Sequence, residues 1–275
     1  MYVANFAVQT QAPTGAINGL FSVSATQQVW FSQGNLQYRA STNTWQFTAN
    51  QYDYIGDANS NISSSYSGWI DLFGWGTSGW NCGNTYYRPW DSNNSCPECY
   101  GPPGQYNLIG SYANSDWGYY NAISNVGNTT HQWRTLTQSE WDYVFNTRST
   151  SSGIRYAKAQ VAGVNGVILL PDDWSTSYYN LSSTNNSGSS FSSNVISASS
   201  WTSSLQAHGA VFLPAAGGRI GASVSNVGSC GYYWSASYYG SNYAWGVDFF
   251  DINLSTDLWF CRYDGFSVRL VCPAQ

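Results

Sequence analysis

Cys96-Pro-Glu-Cys99 is the spacing in this chain that most directly suggests chemistry. Two thiolates three positions apart can grip a zinc ion or cycle through a disulfide. A zinc site wants four Cys or His ligands, usually as two such pairs. Only Cys82 lies nearby, and His131 and His208 have no useful spacing. A redox motif should open a helix after a strand, whereas the flanks here are Pro, Gly and Asn. A local disulfide, or free loop thiols, fits the segment best, with metal binding and redox chemistry behind it. Cys230, Cys261 and Cys272 share no motif.

Other catalytic patterns are weaker. His131 precedes a helix-like segment and His208 sits in "LQAHGAVF", and neither stands beside a nucleophile motif. Asp172 and Asp173 directly follow Pro171, which suits a turn or a helix start better than an acid–base pair. No phosphate loop appears, and "GAINGL" and "AAGGRIG" lack the strand–loop–helix setting of a dinucleotide site. Asp53, Asp57, Asp71 and Asp91 could offer oxygens to calcium without any EF-hand spacing. The chain therefore reads as a non-enzyme with no cofactor, bound calcium being left open.

Only 8% of the 275 residues are charged, against roughly 25% in ordinary domains. Ser, Thr, Asn and Gly supply the polar surface instead, a style of secreted and virion-surface proteins. A net charge of −5 without a basic cluster argues against nucleic acid. No apolar run approaches the ~20 residues of a membrane span, so membrane insertion is not expected. The start "MYVANFAVQTQAPTG" lacks the basic and apolar regions of a signal peptide. The anomaly is aromatic: thirteen of the thirty-five residues from Tyr232 to Phe266 are Phe, Trp or Tyr, in a chain that is 17% aromatic.

The elements that would carry these residues are short. "QQVWFSQGNLQYR" and "TWQFTANQYDYI" read as paired strands joined by "ASTN". Residues 56–127 form a long Gly/Ser/Asn-rich stretch whose regular aromatics suggest packed, irregular structure. Thr137 and Glu140 have the spacing of a capping box, and Trp141, Val144 and Phe145 give the following helix one apolar face. "VNGVILLPDDW", "GAVFLPAAGGRIG" and the closing run Ser267–Val271 read as strands. The fold class is α+β, with short strands, few helices and large ordered loops.

At "WRTLTQSEWDYVFNTR" the chain resembles the Arg-Leu-Pro-Thr-x-x-Glu-Trp-Glu-Tyr helix of formylglycine-generating sulfatase-modifying enzymes, through Arg134, Leu136, Thr137, Glu140, Trp141 and Tyr143. The ending "RYDGFSVRLV" is similar to their closing strand. Those enzymes share a C-type-lectin-like fold with the variable proteins of diversity-generating retroelements. The stretch "YWSASYYGSNYAWGVDFF…RYDGFSVRLV" resembles the variable region of such proteins from gut Bacteroidetes and their phages. "GWIDLFGWGTSGW", "GVNGVILLPDDW" and "GAVFLPAAGGR" look like their scaffold. The resemblance implies a short extension over residues 1–14 and a C-type-lectin-like (formylglycine-generating-enzyme-like) domain over 15–275, diversified at about 231–271. It also implies a display protein that binds a protein or glycan receptor outside the cell, at a phage tail or bacterial surface. Diversification would act through adenine-directed mutagenesis, and AAC codons so mutated cannot give Trp, Lys, Met, Glu or Gln. No Lys, Met, Glu or Gln occurs from Gly231 to Val271, and Trp234, Trp245 and Trp259 are then expected to be fixed scaffold. The alternatives are a formylglycine-generating-type oxidase or a carbohydrate-binding module. The first is weakened because Cys261 and Cys272 lack the flanking pattern.

Strand alternation gives a separate expectation for "AWGVDFF". Trp245, Val247 and Phe249 should point to the core, and Gly246, Asp248 and Phe250 to the outside. The other outward candidates for ligand contact are Tyr239, Gly240, Tyr243, Asp251, Asn253, Asp257, Phe260, Cys261, Tyr263 and Asp264. Tyr, Ser, Gly and Asn are also the residues of antibody loops, where rings give area and small polar groups adapt.

Overall fold

The two ends of the chain meet in one sheet. In the computed structural model, which describes residues 11–61, 63–82, 85–95 and 99–274, the closing strand Leu270–Pro273 lies between Gln28–Phe31 and Arg134–Thr135, with Phe21–Ser22 beyond the former. All pairings are antiparallel; Val271 faces Phe31 and Leu270 faces Thr135. The strand begins three residues later than the pattern Ser267–Val271 suggested. Phe266 and Ser267 instead make single bridges to Phe73 and Tyr233. Most of the expected extension, residues 1–10, lies outside the described residues.

The run from Gln28 to Arg39 is two strands rather than one. It breaks at Gly34, where a Cβ would sit 1.9 Å from Thr48 Oγ1. Beyond the break, Leu36–Arg39 pairs with Thr44–Phe47 across residues 40–43, where Asn43 takes the left-handed conformation. A second sheet carries Tyr156–Val161, Val164–Leu169 and Val211–Pro214, with a short parallel strand Val195–Ile196 at its edge.

The helix Gln138–Asp142 starts as the sequence indicates. Glu140 accepts from the Thr137 amide at 2.8 Å, and the Thr137 hydroxyl accepts from the Glu140 amide. Both carboxylate oxygens of Glu140 also hold Arg134, at 2.8 and 2.6 Å. Trp141, Val144 and Phe145 are fully buried, although the last turn, Tyr143–Thr147, widens into π geometry.

Residues 48–133 contain little regular structure, yet Ile70, Leu72, Phe73, Trp75 and Trp117 are buried. Irregular backbone inside a core must find partners for its carbonyls. Buried arginines supply many of them. Arg219 donates to the carbonyls of Leu72, Asn59 and Trp90. Arg262 donates to those of Tyr100, Pro102, Gly104, Gly240 and Tyr243, with its guanidinium 4.6 Å above the Trp75 ring. Burial lowers both guanidinium groups to about 10, so each stays charged at neutral pH. The fold is mixed helix and sheet, dominated by sheet. Among the described residues no helix is long and apolar enough to cross a membrane.

Candidate functional site: the C-terminal meander

The aromatic stretch folds as a three-stranded antiparallel meander, Gly231–Tyr239, Tyr243–Phe250 and Asn253–Cys261. Side chains opposite each other in such a sheet share a face. Tyr239, Tyr243 and Cys261 form one cross-strand row, and Trp245 faces Trp259 in the next row of the same face. Their rings interlock: Tyr239 stacks on Trp259 at 5.4 Å, while Trp245 meets Tyr239 and Tyr243 meets Trp259 edge-on, each at 4.7 Å. Trp259 is 47% exposed and Tyr239 41% exposed. Large rings gathered on the surface, rather than scattered singly, mark interaction sites.

Alternation predicts the faces of the middle strand but not what covers them. Val247 and Phe249 are fully buried against the helix core, with Trp141 and Leu254 in the same cluster. Trp245, expected to be buried with them, is only half-buried, because that core stops before the strand does. The opposite face corrects the expectation further. Gly246 and Asp248, expected outside, are buried. A second core, including Trp234, Ala236, Ala244 and Phe266, covers that side, so the middle strand is packed on both faces. Gly246 leaves little space: a Cβ there would lie 2.9 Å from the Tyr233 carbonyl.

Asp248 is therefore a buried carboxylate. Its Oδ1 has no hydrogen-bond partner among the described residues. Burial pushes it up to about 6, against the pull of Lys158. Lys158 is itself buried and donates to the carbonyls of Ser187, Phe250 and Asp251. It thereby pins the turn between the second and third strands.

The remaining sequence-predicted positions scatter over several places. Phe250 is 38% exposed at that turn. Asp251 there accepts from the Ser190 hydroxyl and the Phe191 amide, which hold its carboxyl below the usual range, and Asn253 pairs across from Phe250. Phe250 lies seven residue steps from Tyr243, about 23 Å along a strand, so the ring cluster and this turn cannot grip one small ligand. Gly240 stands in the hairpin turn at φ +64°, a requirement of the bend. Asp257, exposed on the edge strand, accepts from the Ser255 hydroxyl. Phe260 turns away from the ring cluster and, with Asp264, lines a pocket on the opposite face. Tyr263 is half-buried nearby, its phenol raised to about 12, first through its hydrogen bond with Cys261.

Trp245 and Trp259 are the surface residues that sequence reasoning missed. Their only signal was tryptophan in a strand next to a polar edge, and Trp usually reads as core.

Cys99 is disulfide-bonded, whereas Cys82, Cys230, Cys261 and Cys272 are free; Cys96 lies outside the described residues. Burial raises the Cys272 thiol to about 12. Among the described residues no three His, Cys, Asp or Glu side chains cluster closely enough to hold a metal ion. No protein-family model, curated protein or solved structure matches the chain.

Proposed function

We propose that the chain is a ligand-binding display protein with a C-type-lectin-like fold, whose C-terminal surface is diversified to recognise cell-surface receptors. It acts without catalysis, at a phage tail or bacterial surface. The observation that carries this reading is the surface ring cluster of Tyr239 and Trp259, both exposed, with Tyr243 and Trp245, both half-buried, within the segment that resembles a variable region. The face is also preorganised. Arg262 ties the hairpin turn, through the carbonyls of Gly240 and Tyr243, to the loop at 100–104, so little ordering entropy is lost when a ligand docks.

The test is binding of the fluorescently labelled protein to a panel of gut bacterial cells, with a Tyr239→Ser, Trp259→Ser double variant alongside. Native protein should label a subset of strains. The double variant should lose about thirtyfold in affinity, the loss of one central anchor of about 2 kcal/mol, while keeping its melting midpoint. Unchanged labelling by the double variant would refute the face.

A further inference from the structure

On the opposite side of the meander lies a pocket of about 190 Å³. That is below the roughly 300–1,000 Å³ of pockets for drug-sized ligands, and suits a single side chain. Three rings build its corner: Tyr232 stacks on Phe266 at 4.8 Å, and Phe260 stands edge-on to Phe266 at 4.9 Å and to Tyr232 at 5.8 Å. Ile220, 51% exposed, forms the rim.

Its polar groups are few, and most are already engaged. The Asn226 amide donates to the Tyr232 hydroxyl at 3.2 Å. The Arg219 guanidinium points away into its three backbone carbonyls. Asp264 is different. It is half-buried in the wall, and among the described residues the ion pairs are Arg134–Glu140 and Arg148–Asp172, neither of which involves it. Its carboxyl is pushed up to about 6 by burial, with a backbone hydrogen bond from Cys261 pulling the other way. A carboxylate without a counter-ion beside aromatic faces is complementary to a cation on an apolar stem: the stem packs on the rings and the charge meets both ring and carboxylate. A sugar would need many polar partners, whereas this lining is mostly apolar and, besides Asp264, offers the Ser225 hydroxyl and the Asn226 amide.

We infer that this pocket takes the ammonium or guanidinium end of a lysine or arginine side chain presented by a protein partner. The inference stands apart from the four-ring face, with which it shares no residue.

The experiment titrates isotope-labelled native protein with Nα-acetyl-lysine methylamide, and separately with the same compound acetylated on its side-chain nitrogen, following backbone amide shifts. The charged probe should give saturable shifts at Asp264, Gly265 and Phe266 with a Kd of about 1–10 mM. The neutral probe should bind at least tenfold more weakly, and Asp264→Asn should weaken the charged probe by the same factor. Equal binding of the two probes, or shifts confined to residues 239–245, would overturn the inference. If Asp264→Asn does not fold, the two probes on native protein still decide. Cell labelling reads Tyr239 and Trp259 instead, so failure of one proposal is distinguishable from failure of the other.

Discussion

Asp248→Asn should stabilise this protein at neutral pH, and the gain should disappear in acid. The carboxylate is 6% exposed, and its Oδ1 has no hydrogen-bond partner among the described residues. Burial raises it from 3.8 to about 6 even with Lys158 drawing it down. Because the folded state holds the proton more tightly than the unfolded chain, stability is greatest below the unfolded value and is lost as pH rises through about 6. At 1.36 kcal/mol per pKa step, the shift corresponds to at most about 3 kcal/mol. An amide has its own donors to satisfy there, so a net gain of about 1–3 kcal/mol is expected at neutral pH. Urea unfolding followed by tryptophan fluorescence, at neutral pH and again near pH 4, measures both quantities. A variant no more stable than native protein at neutral pH, with a difference that does not change on acidification, would place the carboxylate in water and refute the reasoning.

What could be read from the sequence was local. Thr137 and Glu140 stand at the spacing of a reciprocal cap, and an apolar face at i, i+3 and i+4 follows, so the start of that helix is determined within nine residues. The closing strand and the 36–47 hairpin were visible in the same way, but only in part: the strand begins at Leu270 rather than Ser267, and the run leading into the hairpin breaks at Gly34. The candidate site was legible only in part, because alternation assigns a side chain to a face and not to an environment. Val247 and Phe249 followed it, while Trp245 came out half-buried and Asp248 was covered, lying across from Tyr232 and near the Lys158 ammonium. That covering depends on contacts between positions far apart in the chain, which no local period records. The buried arginines were missed likewise. Nothing near Arg262 in sequence announces five carbonyls brought in from 100–104 and 240–243.

Arg262→Met should cost at least about 3 kcal/mol, since it leaves several buried carbonyls without donors; urea unfolding measures the loss, and faster hydrogen exchange at residues 239–243 should accompany it. Glu140→Ala removes one half of the capping box together with the Arg134 pair, and should lower stability by about 1–2 kcal/mol in the same assay. The last prediction concerns where the meander accepts change. A segment diversified on one face of an exposed sheet would tolerate substitution at every second residue. Here the middle strand is packed on both sides from Gly246 to Phe249, and truncating large side chains so enclosed typically costs about 2–5 kcal/mol. Saturation mutagenesis of 231–271, sorted for folded protein by protease resistance, should therefore show tolerance in separate blocks. One should hold Tyr239, Tyr243 and Trp245, a second Phe250 to Asn253, and a third Asp257 to Trp259, with intolerance across 246–249 apart from Asp248→Asn. Period-two tolerance running through 246–249 would mean that the second core does not cover the sheet.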